Sequence, residues 1–389
     1  MVSFDNTEIA FKSKTTAELR KAWWLFRLIG NNSLVKLSRP FAGLAALFSP
    51  TNYLIKQTIY SHFCGGETIS ECDRTIGHLD KYHVGTILDY SVEGKESEAI
   101  FDATADEIMA TQERAMKDNK VPFCVFKLTG LGRFALLEKA STEAVLSEDE
   151  KQELERIKAR VERLCKKAFD SGTRLMLDAE ESWIQPILDQ IILDMMRKYN
   201  KERAVLYNTC QMYRHDRLTE LKKWSGMADV EGFYLGIKLV RGAYMEKERK
   251  RAAEMNYPSP IQPDKASTDR DYNLAIDFIT SHFPKIAVCA GTHNEESSAR
   301  LAEMMNQKKI AHNSPEIYFS QLLGMSDHIS FNLASEGYNV AKYVPYGPVK
   351  EVLPYLIRRA EENTSVAGQT SRELNLITLE KERRKKRVC

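Results

Sequence analysis

The chain has 389 residues, 43% of them hydrophobic and 28% charged, with a formal net charge of +2. This is ordinary globular composition, long enough for one large domain or two smaller ones, and the near-neutral balance gives no whole-protein case for nucleic acid. Seven cysteines at scattered spacings, an odd number without a CxxC or Cys/His cluster, point to reduced intracellular thiols and away from zinc.

The first twenty residues, MVSFDNTEIAFKSKTTAELR, carry Asp5, Glu8 and Glu18 and no apolar core. They resemble neither a secretory signal nor an Arg-rich transit peptide, which suits the bacterial cytoplasm or an organelle chain already processed. Residues 14–60 read as three helical runs, broken at Gly30-Asn31-Asn32 and at Ser49-Pro50. The most apolar early segment, residues 40–50, is too short to span a bilayer. Residues 63–72 read as a loop, and a further helix runs to Lys81.

From there the texture changes. Short β-type runs at 85–91, 123–129, 174–180, 204–213, 232–244, 286–294, 316–325 and 339–347 alternate with helical stretches. Eight such runs predict a parallel sheet with crossover helices, and eight is the number that closes a (βα)8 barrel. Residues 134–170 read as one long, charge-rich helical insertion. The predicted domains are a helical region at 1–80, a barrel at 81–375 and a basic tail at 376–389. That tail holds five consecutive basic residues, Arg383 to Arg387, a pattern that binds anionic lipid or solubilises a helix end.

Most β-runs begin apolar and finish on a polar side chain: Asp89, Lys127, Asp178, Gln211, Arg241, His293 and Tyr343. In a β/α barrel the C-terminal strand ends share one face, and chemistry sits there. Several motifs are decoys. Gly130, Gly132 and Ala135 match a dinucleotide-binding turn, but the acidic residue that should close the next strand falls in helical sequence. Asp178 and His293 stand where barrel hydrolases keep metal ligands, yet no second clustered histidine accompanies them, so no metal is expected. Lys127 suits either a Schiff-base lysine or an anion anchor.

KLVRGAY, residues 238–244, is more informative. Two cations at i and i+3 meet a Gly-Ala step that lets backbone N–H groups approach a ligand closely, which suits a phosphate-bearing cofactor. Near the C-terminus, YLIRRAEENTS (355–365) sets Arg358 beside Arg359 in helical sequence. Such guanidinium forks match carboxylates and phosphates.

Taken together, LDYS, FKLT, LDAEE, NTCQMY, KLVRGAYMEKE, GTHN, YFSQLLGM and YVPYGPVKEVLPYLIRRAEENTS resemble the proline dehydrogenase family in content and order, over about residues 50–375. They look closer to the mitochondrial type and its bacterial relatives than to the bifunctional enzymes, which implies a monofunctional chain. The resemblance implies a distorted (βα)8 barrel with FAD held non-covalently at the strand ends and a last helix over the barrel mouth. It implies oxidation of L-proline to Δ1-pyrroline-5-carboxylate by hydride transfer from C5 to flavin N5. Electrons would pass to a membrane quinone, with peripheral membrane contact.

Carried over residue by residue, Asp178 and Lys238 become the catalytic pair. Lys127, Arg358 and Arg359 would hold the substrate carboxylate. Tyr244, Leu322, Tyr343 and Tyr355 would pack the ring, and Glu362 would orient the closed lid. Ala179, Gln211, Lys238, Arg241, Gly242, Ala243, Thr292 and His293 would bind FAD. Lys238 falls where many bacterial members carry arginine. Hydroxyproline dehydrogenase is the alternative within the family, disfavoured because Tyr343 keeps full size. A Schiff-base lyase using Lys127 is the more distant alternative.

Overall fold

The structure is a computed structural model and describes residues 2–29, 56–91, 96–142, 144–353, 355–356 and 369–387. Arg358, Arg359 and Glu362, and with them the expected helix over the barrel mouth, lie outside the described residues.

Eight parallel strands close into a barrel in chain order: β1 (Val84–Tyr90), β2 (Phe123–Phe126), β3 (Arg174–Leu177), β4 (Leu206–Gln211), β5 (Leu235–Val240), β6 (Ile286–Gly291), β7 (Ile317–Leu322) and β8 (Val340–Tyr346). Seven of the expected runs contain their strands and the first misses only Val84, so the (βα)8 reading is borne out. The runs were drawn too long at their polar ends. Lys127, Asp178, Arg241 and Thr292 are each the first residue past a strand, released from the ladder into a loop. Asp89, Gln211 and Tyr343 stay within β1, β4 and β8, Tyr343 paired with Ile87 of β1.

The chain forms two compact units, Gly94–Ser320 and Val2–Glu93 with Gln321–Cys389. In the first, β2 to β6 and most of β7 alternate with helices. Phe123 meets Tyr207 and Tyr318 edge to face, with centroids 5.3 and 4.9 Å away, and the Arg174 guanidinium lies over Phe123 and Tyr318. This aromatic plug closes the N-terminal end of the strands and fixes the floor beneath the site.

The predicted 134–170 helix divides into Phe134–Ala140 and Glu148–Ser171. Ser147 and Glu150 form a reciprocal capping box that starts the second helix, and Gly172 ends it in the left-handed region at φ 71°. The long helix is no addition to the barrel; it is the crossover between β2 and β3. Its Ile157 explains a decoy, because a Cβ on Gly132 would lie 2.2 Å from the Ile157 side chain. That glycine serves helix packing, not a nucleotide.

In the second unit β1 pairs with β8. The helix Thr16–Ile29 packs on Gln369–Lys386 through Leu19, Ala22 and Phe26 against Leu376 and Ile377. The helix read as starting after residue 72 begins at Ile69, because the Thr68 hydroxyl accepts the Glu71 N–H and caps it.

Candidate active site

Two residues of the first unit face each other across the barrel. Asp178 follows β3 and Lys238 sits in β5, so β4 separates their strands. The Lys238 Nζ nevertheless donates to Asp178 Oδ1 at 2.5 Å, with both side chains about one-tenth exposed. Two residues on non-adjacent strands meet only if both project into the interior of the strand ends. Asp178 is anchored from behind, its N–H donating to Phe126 O at 2.9 Å.

The neighbouring loops are built on the same plan. Lys127 opens the turn after β2. Gln211 closes β4 and donates its amide to Glu180 O at 2.8 Å, while Ala179 is buried between Asp178 and Glu180. Arg241 donates to Asp269 Oδ1 at 2.7 Å, Thr292 Oγ1 at 2.6 Å and Ser297 Oγ at 3.0 Å, and lies 4.4 Å over the Tyr272 ring. It thereby ties the loop after β5 to the loop after β6, which carries His293. Thr292 is held on its other side, its N–H donating to Ser320 O.

Gly242 adopts φ 137°, and a Cβ there would come 2.4 Å from the Tyr213 ring. Only glycine fits, and Ala243 and Tyr244 follow it to start the helix Met245–Glu254. The Gly242–Ala243 loop follows Lys238 and Arg241, and this cationic, amide-rich donor set fits a phosphate-bearing flavin cofactor. Among the described residues no three His, Cys, Asp or Glu side chains gather as a metal site.

Sequence reasoning missed the supports. Ser182 N–H and Oγ both donate to the fully buried Glu248 carboxylate at 2.6 Å, and Lys247 pairs with Glu181. These bonds lock the Asp178 loop to the helix that follows Tyr244. Glu180 is also new. Its carboxylate accepts Thr129 N–H at 3.1 Å and Thr129 Oγ1 at 2.5 Å. Burial pushes its carboxyl up from 4.5 to about 7, against the pull of Thr129 and Lys127. The LDAEES run showed these acids, but nothing in it separated a buried strut from a solvated one.

The second unit holds the remaining described candidates. Tyr355 is buried with Tyr60, Phe63, Met325, Val349 and Val352, and Leu322 packs against that cluster. Tyr343 is buried in β8.

A family model described as proline dehydrogenase matches residues 72–372. The chain belongs to the proline dehydrogenase family. It is therefore an oxidoreductase acting on proline. A mitochondrial proline dehydrogenase from Dictyostelium discoideum is 32% identical, over 97% of this chain and 74% of its own length. A carbapenem antibiotics biosynthesis protein, CarD, from Pectobacterium carotovorum is 36% identical over 84% of both chains. Among solved structures, proline utilization A from Bdellovibrio bacteriovorus, inactivated by N-propargylglycine, superimposes with a TM-score of 0.73 at 19% identity. That match covers 92% of this chain but 38% of the other, and it speaks to the shared barrel alone.

Proposed function

We propose that this family member oxidises L-proline to Δ1-pyrroline-5-carboxylate with a non-covalent FAD and delivers the electrons to a membrane quinone. The observation that carries the reading is the Lys238–Asp178 pair, set inside a ring of strand-end residues that includes Lys127, Gln211, Arg241 and Thr292. Bound there, FAD would supply the two-electron acceptor for the hydride lost from C5, while the lone pair of the unprotonated ring nitrogen forms the C=N bond.

The protein's part is placement and charge. Lys127, with Arg358 and Arg359, holds the substrate carboxylate by charge-assisted hydrogen bonds. Tyr244, Leu322, Tyr343 and Tyr355 pack the ring, Asp178 fixes the Lys238 ammonium, and Glu362 orients the arginines. Lys238 puts a positive charge where negative charge develops on reduction, with fewer directed donors than an arginine. Ala179, Gln211, Arg241, Gly242, Ala243, Thr292 and His293 would hold the cofactor through backbone N–H groups and polar side chains.

A quinone acceptor places the protein at a membrane surface, mitochondrial like the Dictyostelium relative's name or the inner face of a bacterial membrane. No helix among the described residues is long and apolar enough to cross a membrane. The basic tail is partly occupied: Arg383 and Arg384 pair with Glu380, and Arg387 with Glu8. A better lipid-facing surface lies beside it. Trp24 is 59% exposed, Arg27 lies over both Trp23 and Trp24, and Lys381 lies 4.1 Å over Trp23. Lys385 and Arg20 repel Lys381 and help hold its ammonium below the usual range, with burial the larger cause. Cations gathered around an exposed indole suit an anionic headgroup layer. Trp24→Ala with Lys381→Ala should abolish sedimentation with anionic vesicles; unchanged sedimentation would remove this surface from the reading.

The deciding experiment is an anaerobic visible spectrum before and after L-proline. A flavin band that bleaches with L-proline, and much less with trans-4-hydroxy-L-proline, is expected. Faster bleaching by hydroxyproline would move the assignment to hydroxyproline dehydrogenase, and no flavin band after reconstitution with FAD would end the flavoenzyme reading.

A further inference from the structure

The turn between β7 and the helix Asp327–Ser335 is irregular, and one buried side chain gathers it. Gly324 at φ 79° and Ser326 at φ 49° both lie in the left-handed region. A serine persists there only where its neighbours over-determine the backbone. They do so here. Leu323 N–H donates to Tyr343 O at 2.9 Å, Ser326 N–H donates to the Glu373 carboxylate at 2.9 Å, and the His62 ring hydrogen-bonds Gly324 O at 2.9 Å.

Lys342 of β8 completes the set. It is wholly buried, and its ammonium donates to three acceptors of this one turn: Met325 O at 2.5 Å, Asp327 Oδ1 at 2.9 Å and Leu322 O at 3.4 Å. An ammonium has three N–H groups, one for each. Leu322 ends β7 and opens the turn, and its carbonyl also accepts Met325 N–H at 3.2 Å. Its side chain packs on the cluster that holds Tyr355 and Met325 but stays partly exposed, so part of it can meet a ligand.

We infer that Lys342 is a positioning residue: by gathering the carbonyls of Leu322 and Met325 it fixes where the Leu322 side chain stands, and so sets the size of ring that the site accepts. The inference rests on the proposed role of Leu322 in packing the substrate ring.

The probes are tetrahydrofuran-2-carboxylate and its six-membered homologue tetrahydropyran-2-carboxylate, used as competitive inhibitors against L-proline on the flavin-loaded protein. One methylene in a close-fitting apolar site is worth about tenfold or more, so the wild type should favour the smaller ring by that much. In Lys342→Met the turn loses its three donors and releases Leu322. The preference should then shrink about fivefold to tenfold, and KM for L-proline should change more than kcat. Leu322→Ala should shrink the preference by a similar factor. Combining the two should add nothing further, because Lys342 acts through Leu322, whereas independent effects would multiply. Lys342→Met also withdraws a buried charge from Asp327, so the same ratio is read in Lys342→Met/Asp327→Asn, where the carboxylate's charge is removed as well.

A wild-type ring preference in the Lys342 variants, with Leu322→Ala shifting it, overturns the inference and leaves the role of Leu322 standing. Shifts that multiply in the combined variant do the same. If Leu322→Ala leaves the preference unchanged, the role of Leu322 falls and the inference falls with it.

Discussion

Glu180 and Asp327 are both buried carboxylates, one in each unit, and they are held in opposite ways. Asp327 begins the helix Asp327–Ser335 and takes Lys14 Nζ at 2.7 Å on one oxygen and Lys342 Nζ at 2.9 Å on the other. Lys342 also donates to Met325 O, and the Glu373 carboxylate accepts Ser326 N–H at 2.9 Å. Two ammonium groups hold Asp327 far below the usual carboxylate range despite burial. Among the described residues, the Glu180 carboxylate is held by the Thr129 hydroxyl and amide, and burial pushes it up to about 7. The difference teaches what burial of charge is for. Asp327 is a closed, permanently ionised clasp joining the N-terminal segment, the turn after β7, β8 and the last helix. Glu180 is left close to its own titration, held by donors that carry no charge.

The largest expected effect follows from the clasp. Asp327→Ala leaves the buried Lys342 and the half-buried Lys14 without their carboxylate, and should cost about 3–5 kcal/mol of unfolding free energy, read by urea denaturation. Asp327 titrates below its unfolded value, so its contribution is complete above the ordinary aspartate range and is lost as pH falls through that range and below. The mutant's deficit should therefore shrink in acid. An equal deficit at pH 3 and pH 7 would show that the cost is lost packing and not charge.

The Asp178–Lys238 pair should behave otherwise. Lys238→Met is expected to lower kcat/KM for L-proline by about 10²-fold, the scale of one electrostatic stabiliser, and to cost the fold less than Asp327→Ala, because it strands one carboxylate where Asp327→Ala strands two ammonium groups. A pair at the strand ends is there to meet a ligand. Should Lys238→Met destabilise the protein as Asp327→Ala does and spare activity, the pair would be a second clasp.

Glu180→Gln should move stability with the opposite pH sign from Asp327. A folded value of about 7 against an ordinary 4.5 means that the native state binds the proton more tightly. Native stability is then highest below the ordinary range and falls as pH rises towards 7. The amide does not titrate, so the mutant should gain on the wild type between pH 5 and pH 8, by at most about 3 kcal/mol. Thermal unfolding at the two pH values measures the gain, and a difference independent of pH would remove the titration from the account.

Much of this frame was legible beforehand because buried parallel strands announce themselves as short apolar runs, and all eight did. Lys127, Asp178 and Arg241 stood out because a charge at the end of such a run has few structural uses. What stayed hidden was partnership across the fold. NVAKYVPYG shows Lys342 as plainly as FKLT shows Lys127, but only the tertiary structure reveals that Lys342 is sealed against Asp327. The split of the 134–170 helix was written in Ser147 and Glu150, a capping box hidden within a continuous charge pattern. Gly132 looked like nucleotide chemistry and answers to Ile157 instead.

The smallest effect comes from the neighbour of that sealed lysine. Lys342 and Tyr343 are adjacent in β8, so their side chains leave opposite faces of the strand. Lys342 faces the clasp; Tyr343 is the residue proposed to pack the substrate ring. Removing the phenol should open room and a hydrogen-bonding partner at that ring position. Tyr343→Ser should then shift the kcat/KM ratio of L-proline to trans-4-hydroxy-L-proline about tenfold towards hydroxyproline, without the pH-dependent unfolding seen for Asp327→Ala. A ratio that does not move would place Tyr343 away from the substrate, and the two faces of β8 would then both be structural.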